Sequence, residues 1–337
     1  MVEAPDVDAL MQGELGAWLK SQQQLRDDTR KKMWTRGIGC GVPFALLVIA
    51  LALAGADMEL IPLIGIGIAG ISTWLGYIRR PVVNAMKERM NKAIAAAIGL
   101  DFALTGEQGR DWPLMLALSF LPAHDKWSLE DFWSGTLNGF PLRLYEAHLQ
   151  QWQGSGKNRK LVTVFRGVII EIGYGRPFRG TTLIERRGTR FKFFGLVDDI
   201  SALGIKLEQA HFTHPELEKN FDLWTSDPVE AQYLVHPLYV ERLMAVERHY
   251  HGQHVRALFH DGRMIIAIRT EPQFESGSLY SGEDARRLKQ TIEQFMAVAR
   301  LADSLYDAPG KRAEPPAPSD PSFPSAPPSS SAPSKPS

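Results

Sequence analysis

Gly37–Ala56 reads GIGCGVPFALLVIALALAGA and Leu60–Ile78 reads LIPLIGIGIAGISTWLGYI, with only Asp57, Met58 and Glu59 between them. Each run matches the ~20 residues that an α-helix needs to cross a hydrocarbon core ~30 Å thick. No Lys, Arg, Asp, Glu or His interrupts either run. The spacing predicts a two-helix transmembrane hairpin over residues 37–78. Lys31, Lys32 and Arg36 precede the first span, and Arg79, Arg80, Lys87, Arg89 and Lys92 follow the second. Lys and Arg near span ends stay on the cytoplasmic side, so both termini are expected there. Trp34, Trp74 and Tyr77 fall where an inner aromatic belt lies.

The hairpin reads as an anchor. Gly37/Gly41 and Gly65/Ala69 are small pairs four apart, the spacing that lets helices approach closely in lipid. Pro43 and Pro62 are expected in the first helical turns, where a missing amide donor does least harm. A channel or transporter usually carries an ionisable residue in mid-membrane. The second span offers only Ser72 and Thr73. Cys40 is the single cysteine, which excludes an intramolecular disulfide and a cysteine zinc cage.

Around the hairpin the 337 residues divide further. Residues 1–36 form an amphipathic helical arm, with Val7, Leu10, Met11, Leu15, Trp18 and Leu19 at helical spacing. Residues 79–113 are a juxtamembrane helix and linker, where Val82, Val83, Met86, Met90, Ile94 and Ile98 keep the same period. The two helices emerge on one side, so they are expected to pack together. Homo-oligomeric pairing through them is the sharper expectation. Residues 307–337 are rich in Pro and Ser; a segment so poor in apolar side chains cannot offset its ordering entropy and is expected to be disordered.

Residues 114–306 read as an α+β domain on a mostly antiparallel sheet, with its helices late. Phe140–Leu149 alternates, Leu161–Ile172 is rich in β-branched residues, and Thr181–Glu185 and Glu218–Trp224 are shorter runs. Val255–Phe259 and Met264–Ile268 flank Asp261-Gly262, a hairpin signal. Asp227 and Pro228 open a helix that Pro237 divides. Ser281 and Asp284 resemble a capping box opening a last helix.

Glu130-Asp131, Gly135-Thr136-Leu137-Asn138-Gly139, Val164-Phe165-Arg166-Gly167 and Phe178-Arg179-Gly180 follow one another along this domain. Glu218-Lys219-Asn220-Phe221, the run Ser226–Leu234, Glu241-Arg242-Leu243, Asp261-Gly262 and Phe274-Glu275 come after them. In this order they resemble the bacterial domain-of-unknown-function family numbered 3137, over roughly Leu121–Leu305. The resemblance implies a multi-pass protein of the bacterial inner membrane with a cytoplasmic domain. It carries no catalytic residue.

Chemical motifs are sparse. Gly154-Ser155-Gly156-Lys157 lacks the Gly at 151 and the Ser or Thr at 158 of a phosphate-binding loop. No Gly-x-Ser-x-Gly elbow and no His-Glu-x-x-His occurs. His249, His251 and His254 form a candidate metal cluster, but they straddle a helix end, where the dipole already favours histidine. No metal and no cofactor is expected.

Charge is segregated. Lys157–Lys192 holds ten basic residues against Glu171 and Glu185, net +8, while 193–235 is net −6. One reading is mutual attraction inside the domain. The other is an anionic-lipid face made by Arg176, Arg179, Arg186, Arg187, Arg190 and Lys192. The chain carries zero formal net charge, which argues against nucleic acid. The leading expectation is a membrane-anchored interaction or scaffold domain without catalysis. Its partners are the lipid bilayer and a protein the sequence does not identify. Anionic-lipid sensing and a histidine-based metal hydrolase are the alternatives.

Overall fold

The computed structural model describes residues 4–55, 60–137, 139–173, 178–188, 199–212 and 215–304. The chain divides into two compact units. One comprises Asp6–Ala93 with Glu275–Lys289. The other comprises Ile94–Phe274 with the chain from Gln290 on. The expected disordered tail and the Asp57–Glu59 turn lie outside the described residues.

The first unit is helical. Its elements are α1 (Val7–Gln12), α2 (Glu14–Ser21), α3 (Gln23–Leu53) and α4 (Leu60–Ala97). α3 and α4 are long and apolar enough to cross a membrane, and no residue of their apolar windows is buried within the chain. Leu53 is 85% exposed and Ile61 76%. Exposed apolar surface of this extent marks a site of contact with a membrane or with another protein.

Several helix details differ from the sequence expectation. The N-terminal arm is not one helix, because Gly13 adopts an extended backbone and separates α1 from α2. α3 begins at Gln23, so Pro43 sits in its interior rather than its first turns. Likewise α4 continues through Pro81 and joins the second span to the juxtamembrane helix. A proline costs one helical hydrogen bond, and long helices absorb that as a local adjustment. The close approach between α3 and α4 lies at neither expected glycine pair. It lies at Gly67, where an added Cβ would sit 2.0 Å from the Phe44 ring, while Gly41 and Gly65 face open space.

Polar side chains hold this unit together outside the apolar windows. Arg26 of α3 donates to Asp284 at 2.7 Å, and both side chains are almost fully buried. Asp284 therefore serves as an ion-pair partner, not as the capping-box acid. Ser276 donates to Asn91 at 2.7 Å, and Lys87 pairs with Glu275 at 2.8 Å. α2 buries Leu15 and Leu19, and Arg89 lies 6.0 Å over Trp18. The apolar faces of the arm and of the juxtamembrane helix are thus used, at least in part, within one chain.

The second unit is built on a sheet whose described strands are all paired antiparallel. They are β1 (Leu100–Thr105), β2 (Lys126–Leu137), β3 (Phe140–Gln153), β4 (Lys160–Gly173), β5 (Thr182–Arg186), β6 (Asp199–Ala202), β7 (Ile205–Ala210), β8 (Phe221–Thr225), β9 (Gln253–His260) and β10 (Arg263–Arg269). Their spatial order is β1-β2-β3-β4-β10-β9-β5-β8-β7-β6. Between them lie α5 (Trp112–Ala117), α6 (Pro215–Asn220), α7 (Pro228–Leu234) and α8 (Pro237–His249), and α9 (Asp284–Ser304) follows. The α+β class with late helices holds.

Both faces of this sheet are covered, which explains its near-continuous apolar central strands. On one face Tyr145, Ala147, Ile169, Ile265, Leu258 and Leu183 join Trp112, Met115 and Leu118 in a single core. On the other, Phe259 meets Tyr239 of α8 with ring centroids 5.3 Å apart, and Trp133 meets Phe295 of α9 at 5.4 Å. Asp261 and Gly262 both take positive φ, as a two-residue hairpin turn with right-handed strand twist requires. Asp227 caps α7 through the amides of Val229 and Glu230. Several stretches differ from expectation, and β2 and α5 are among the elements with no expected counterpart. Residues 100–105, placed in a helix and linker, form strand β1. Glu218–Trp224 divides into the end of α6 and β8. The hairpin of β6 and β7 has no counterpart among the expected strands.

Gly167 marks the tightest point of the central sheet. A Cβ there would lie 1.9 Å from the Ile268 carbonyl oxygen and 2.9 Å from the Arg269 Cα, both backbone. Backbone in a paired strand cannot move aside, so Gly167→Ala is expected to destabilise the sheet by ~2 kcal/mol or more. Gly41→Ala, with nothing within 4 Å of the new methyl, is the control and should be near neutral. Thermal unfolding of the full chain in mild detergent reads both; equal midpoints would refute the assignment of strain to Gly167.

Candidate functional site

The basic segment is partly spent inside the fold. Arg186, at the end of β5, pairs with Glu247 of α8, and its guanidinium lies 4.4 Å over the Phe221 ring. The second oxygen of Glu247 accepts the Val255 amide at 2.9 Å. Arg187 approaches Asp222 at 3.5 Å and is half exposed. Arg179 lies beyond the opposite end of β5, where its amide and that of Gly180 donate to the Glu230 carboxylate at 2.9 and 2.8 Å. Arg176, Arg190 and Lys192 lie outside the described residues. The described members therefore separate to the two ends of β5 and do not form one patch.

The histidines are distributed by backbone demands. α8 closes with Gly252 N–H bonded to the Glu247 carbonyl and His251 N–H bonded to the Arg248 carbonyl. That is the paired closure whose left-handed residue is usually glycine. Here His251 takes it, at φ 48°; histidine is among the residues enriched there. Gly252 cannot exchange with it, because a Cβ would lie 2.2 Å from Ile268 Cγ2. His249 and His251 border a surface cavity of about 440 Å³ together with Arg248, Gln290 and Gln294. His260 instead bonds Thr181 at 2.8 Å. Among the described residues no group of three or more His, Cys, Asp or Glu is placed to hold a metal ion.

Sequence reasoning passed over a buried charged network on β3 and β4. Glu171 accepts from the Tyr145 hydroxyl at 2.8 Å and faces Arg143 at 3.5 Å. Arg143 also donates to the Glu107 carbonyl, and Arg263 reaches Asp111 at 3.2 Å. Burial raises the Glu171 carboxyl above its ordinary 4.5, against the lowering effects of Arg143 and Tyr145. Burial first, then the Glu171 charge, pushes the Tyr145 hydroxyl well above its ordinary value. Perturbed groups often mark active sites, but this one is capped by backbone. A Cβ on Gly109 would stand 2.6 Å from Glu171 Oε1, and Glu171 is only 1% exposed. The available signal was Glu171 itself, an acid near the end of β4 that directly follows the apolar run Val168-Ile169-Ile170.

A second cavity, of about 650 Å³, opens between α3 and α4. One face of α3 lines it through Arg30, Trp34, Gly37, Ile38, Gly41 and Val42, with Met33 beside them; α4 contributes Leu75 and Arg79. Leu279 and Tyr280 close its charged end, where Arg30 lies 5.3 Å over the Tyr280 ring and pairs with Asp27. The α3 residues recur at intervals of three and four, a signal the sequence carried within what read as a lipid-facing surface.

Residues 163–306 match the family model described as "Protein of unknown function (DUF3137)", which bears out the resemblance over that stretch. Comparison with curated proteins gives no match. Among solved structures the chain is similar to the crystal structure of the mycobacterial trehalose monomycolate transport factor A, TtfA. Identity is 10%, the match covers 63% of this chain and 95% of that one, and the TM-score is 0.32. A likeness of that size carries no inference about this chain.

Two outcomes follow from the charged groups. Arg186→Gln leaves Glu247 half-paired at a largely buried site and is expected to cost about 1–2 kcal/mol; Arg187→Gln, at an exposed pair, should cost under about 0.5. Equal midpoints for the two variants in thermal unfolding would contradict this. Glu171 holds its proton more tightly in the folded chain than unfolded. Its contribution is complete below the unfolded value and is lost as pH rises through the folded one. Glu171→Gln should therefore fall further behind the natural chain at about pH 4.5 than at about pH 8. A gap independent of pH would refute the raised carboxyl.

Proposed function

We propose that this protein is a two-span membrane anchor presenting its sheet domain at the cytoplasmic face, where the domain works by binding rather than catalysis. The observation that carries the reading is the pair of unburied apolar helices, with Arg30, Lys31, Lys32 and Arg36 before the apolar part of α3 and Arg79 and Arg80 after the apolar part of α4. Cations at both outer ends and acids in the connecting turn favour cytoplasmic termini. Reporter fusions at residues 58 and 306 are expected to report opposite sides of the membrane. A periplasmic signal from the fusion at 306 would overturn the topology.

Binding is supported by the surface of α7 and α8. Val229 and Tyr233, four apart on one helical face, are both about two-thirds exposed, and Leu238 follows at the start of α8. Exposed apolar side chains grouped in this way mark contact surfaces. The titratable groups of the core are meanwhile engaged in the fold, as Glu171 and Glu247 are. On native gels of mildly solubilised membranes the chain is expected to run in an assembly larger than its own 37.6 kDa plus detergent. Val229→Asp with Tyr233→Asp should dissolve that assembly. Migration of the natural chain as a monomer would count against an interaction module.

A further inference from the structure

We infer that the groove between α3 and α4 is a binding site for one anionic phospholipid of the inner leaflet. The inference rests on reading both helices as membrane-spanning. The groove has the form of an amphiphile. Its outer end carries Arg30, Arg79 and the ring of Tyr280, and among the described residues no acid lines it. Its inner end is apolar, from Gly37 and Leu75 to Gly41 and Val42. From Arg30 to Val42 the helix rises about 18 Å, comparable with the depth of one leaflet of a core ~30 Å thick.

Each part of the groove has a use for such a molecule. Guanidinium groups bind phosphate oxygens through paired, charge-assisted hydrogen bonds, and two arginines facing one space favour an anionic headgroup over a zwitterionic one. Basic pockets between spans on the cytoplasmic side are where such headgroups settle. Trp34, 72% exposed, stands at the level of the glycerol region, where indole rings favour the interface. Deeper, a Cβ added to Gly41 would meet no atom within 4 Å, and one added to Gly37 would meet only Leu75 Cδ1 at 3.7 Å. A glycine that serves no close helix contact leaves room there for an acyl chain. Asp27 holds one edge of Arg30 at the rim, and the Tyr280 ring lies under its guanidinium.

The test uses the full chain, taken into mild detergent with equal phosphatidylglycerol and phosphatidylcholine and read by native mass spectrometry. The natural chain is expected to retain one phosphatidylglycerol in preference to phosphatidylcholine by about tenfold or more. Arg30→Gln with Arg79→Gln removes the charge, and Gly41→Leu fills the apolar end. Either change should bring the preference close to parity, while Arg36→Gln, which lies outside the groove, should preserve most of it. Added glycerol phosphate should not displace the lipid, since it lacks the chain that the inner end holds. Absence of a headgroup preference, or full preference in both groove variants, overturns the inference. So does displacement by glycerol phosphate, which makes the site one for a free phosphate. Alkaline carbonate extraction separates this from the anchor reading. A natural chain released from membranes defeats both, whereas one that stays embedded without selectivity defeats the groove alone.

Discussion

Two apolar helices that nothing in the chain covers set the terms for everything around them. In the membrane-spanning reading proposed above, backbone groups cannot enter hydrocarbon unpaired, and continuous helix is what residues 37–55 and 60–78 adopt. Within the first run that demand outranks local propensity, since α3 continues through Pro43. It also orders the polar residues outside. The helices need an orientation that their apolar surfaces cannot supply, and directional contacts at their polar parts supply it. Arg26 with Asp284 is the most buried of these. A buried ion pair is seldom worth much against a well-packed apolar substitute, but removing one member strands the other. Its consequence here is geometric, since it ties the segment beginning at Glu275 to α3.

The sheet unit meets a similar constraint through burial. Ten described strands with both faces covered leave few places for a titratable group, and those present are enclosed by partners. Glu171 has Tyr145, Arg143 and the Gly109 backbone around it; Glu247 divides its two oxygens between Arg186 and an amide. A raised carboxyl beside a phenol would invite an acid–base reading if a substrate had access. The burial of Glu171 removes that access. The perturbation is therefore a cost of burial, met by hydrogen bonds, and the network acts as a clasp between the 107–111 loop and the sheet.

What was legible in the sequence followed from short-range physics. Uninterrupted apolar runs located α3 and α4, Asp261-Gly262 located the β9–β10 turn, and Asp227-Pro228 with Pro237 divided α7 from α8. What was not legible depended on partners distant in sequence. β1 is a six-residue strand after Gly99, with no alternation strong enough to separate it from the helix before it. Its identity comes from pairing with β2. Asp284 looked like a capping acid because the capping pattern is local, whereas Arg26 is 258 residues away. The glycine pairs satisfied the four-residue rule for close helices, yet the contact formed at Gly67, where Phe44 offered a ring to fill the space. His251 was legible as a helix-end residue, but not as the residue adopting positive φ there.

Charge gives the sharpest case. Counting along the chain singles out 157–192 at net +8, because it sums residues that are neighbours in sequence. Recognition sums residues that are neighbours in space. In the described part of that strip Arg186 and Arg187 face Glu247 and Asp222, so much of the apparent excess is cancelled across strands. The groove holds only two arginines, one from each of two helices, and no window of sequence brings them together. Both line one opening at the end of an apolar groove, with Asp27 holding one edge of Arg30. Two cations brought to one opening from separate helices present more to a single ligand than a row divided between the ends of a strand. Along the sequence Arg79 counts only as a flanking charge and Arg30 stands apart from it; the fold is what places the two at one opening.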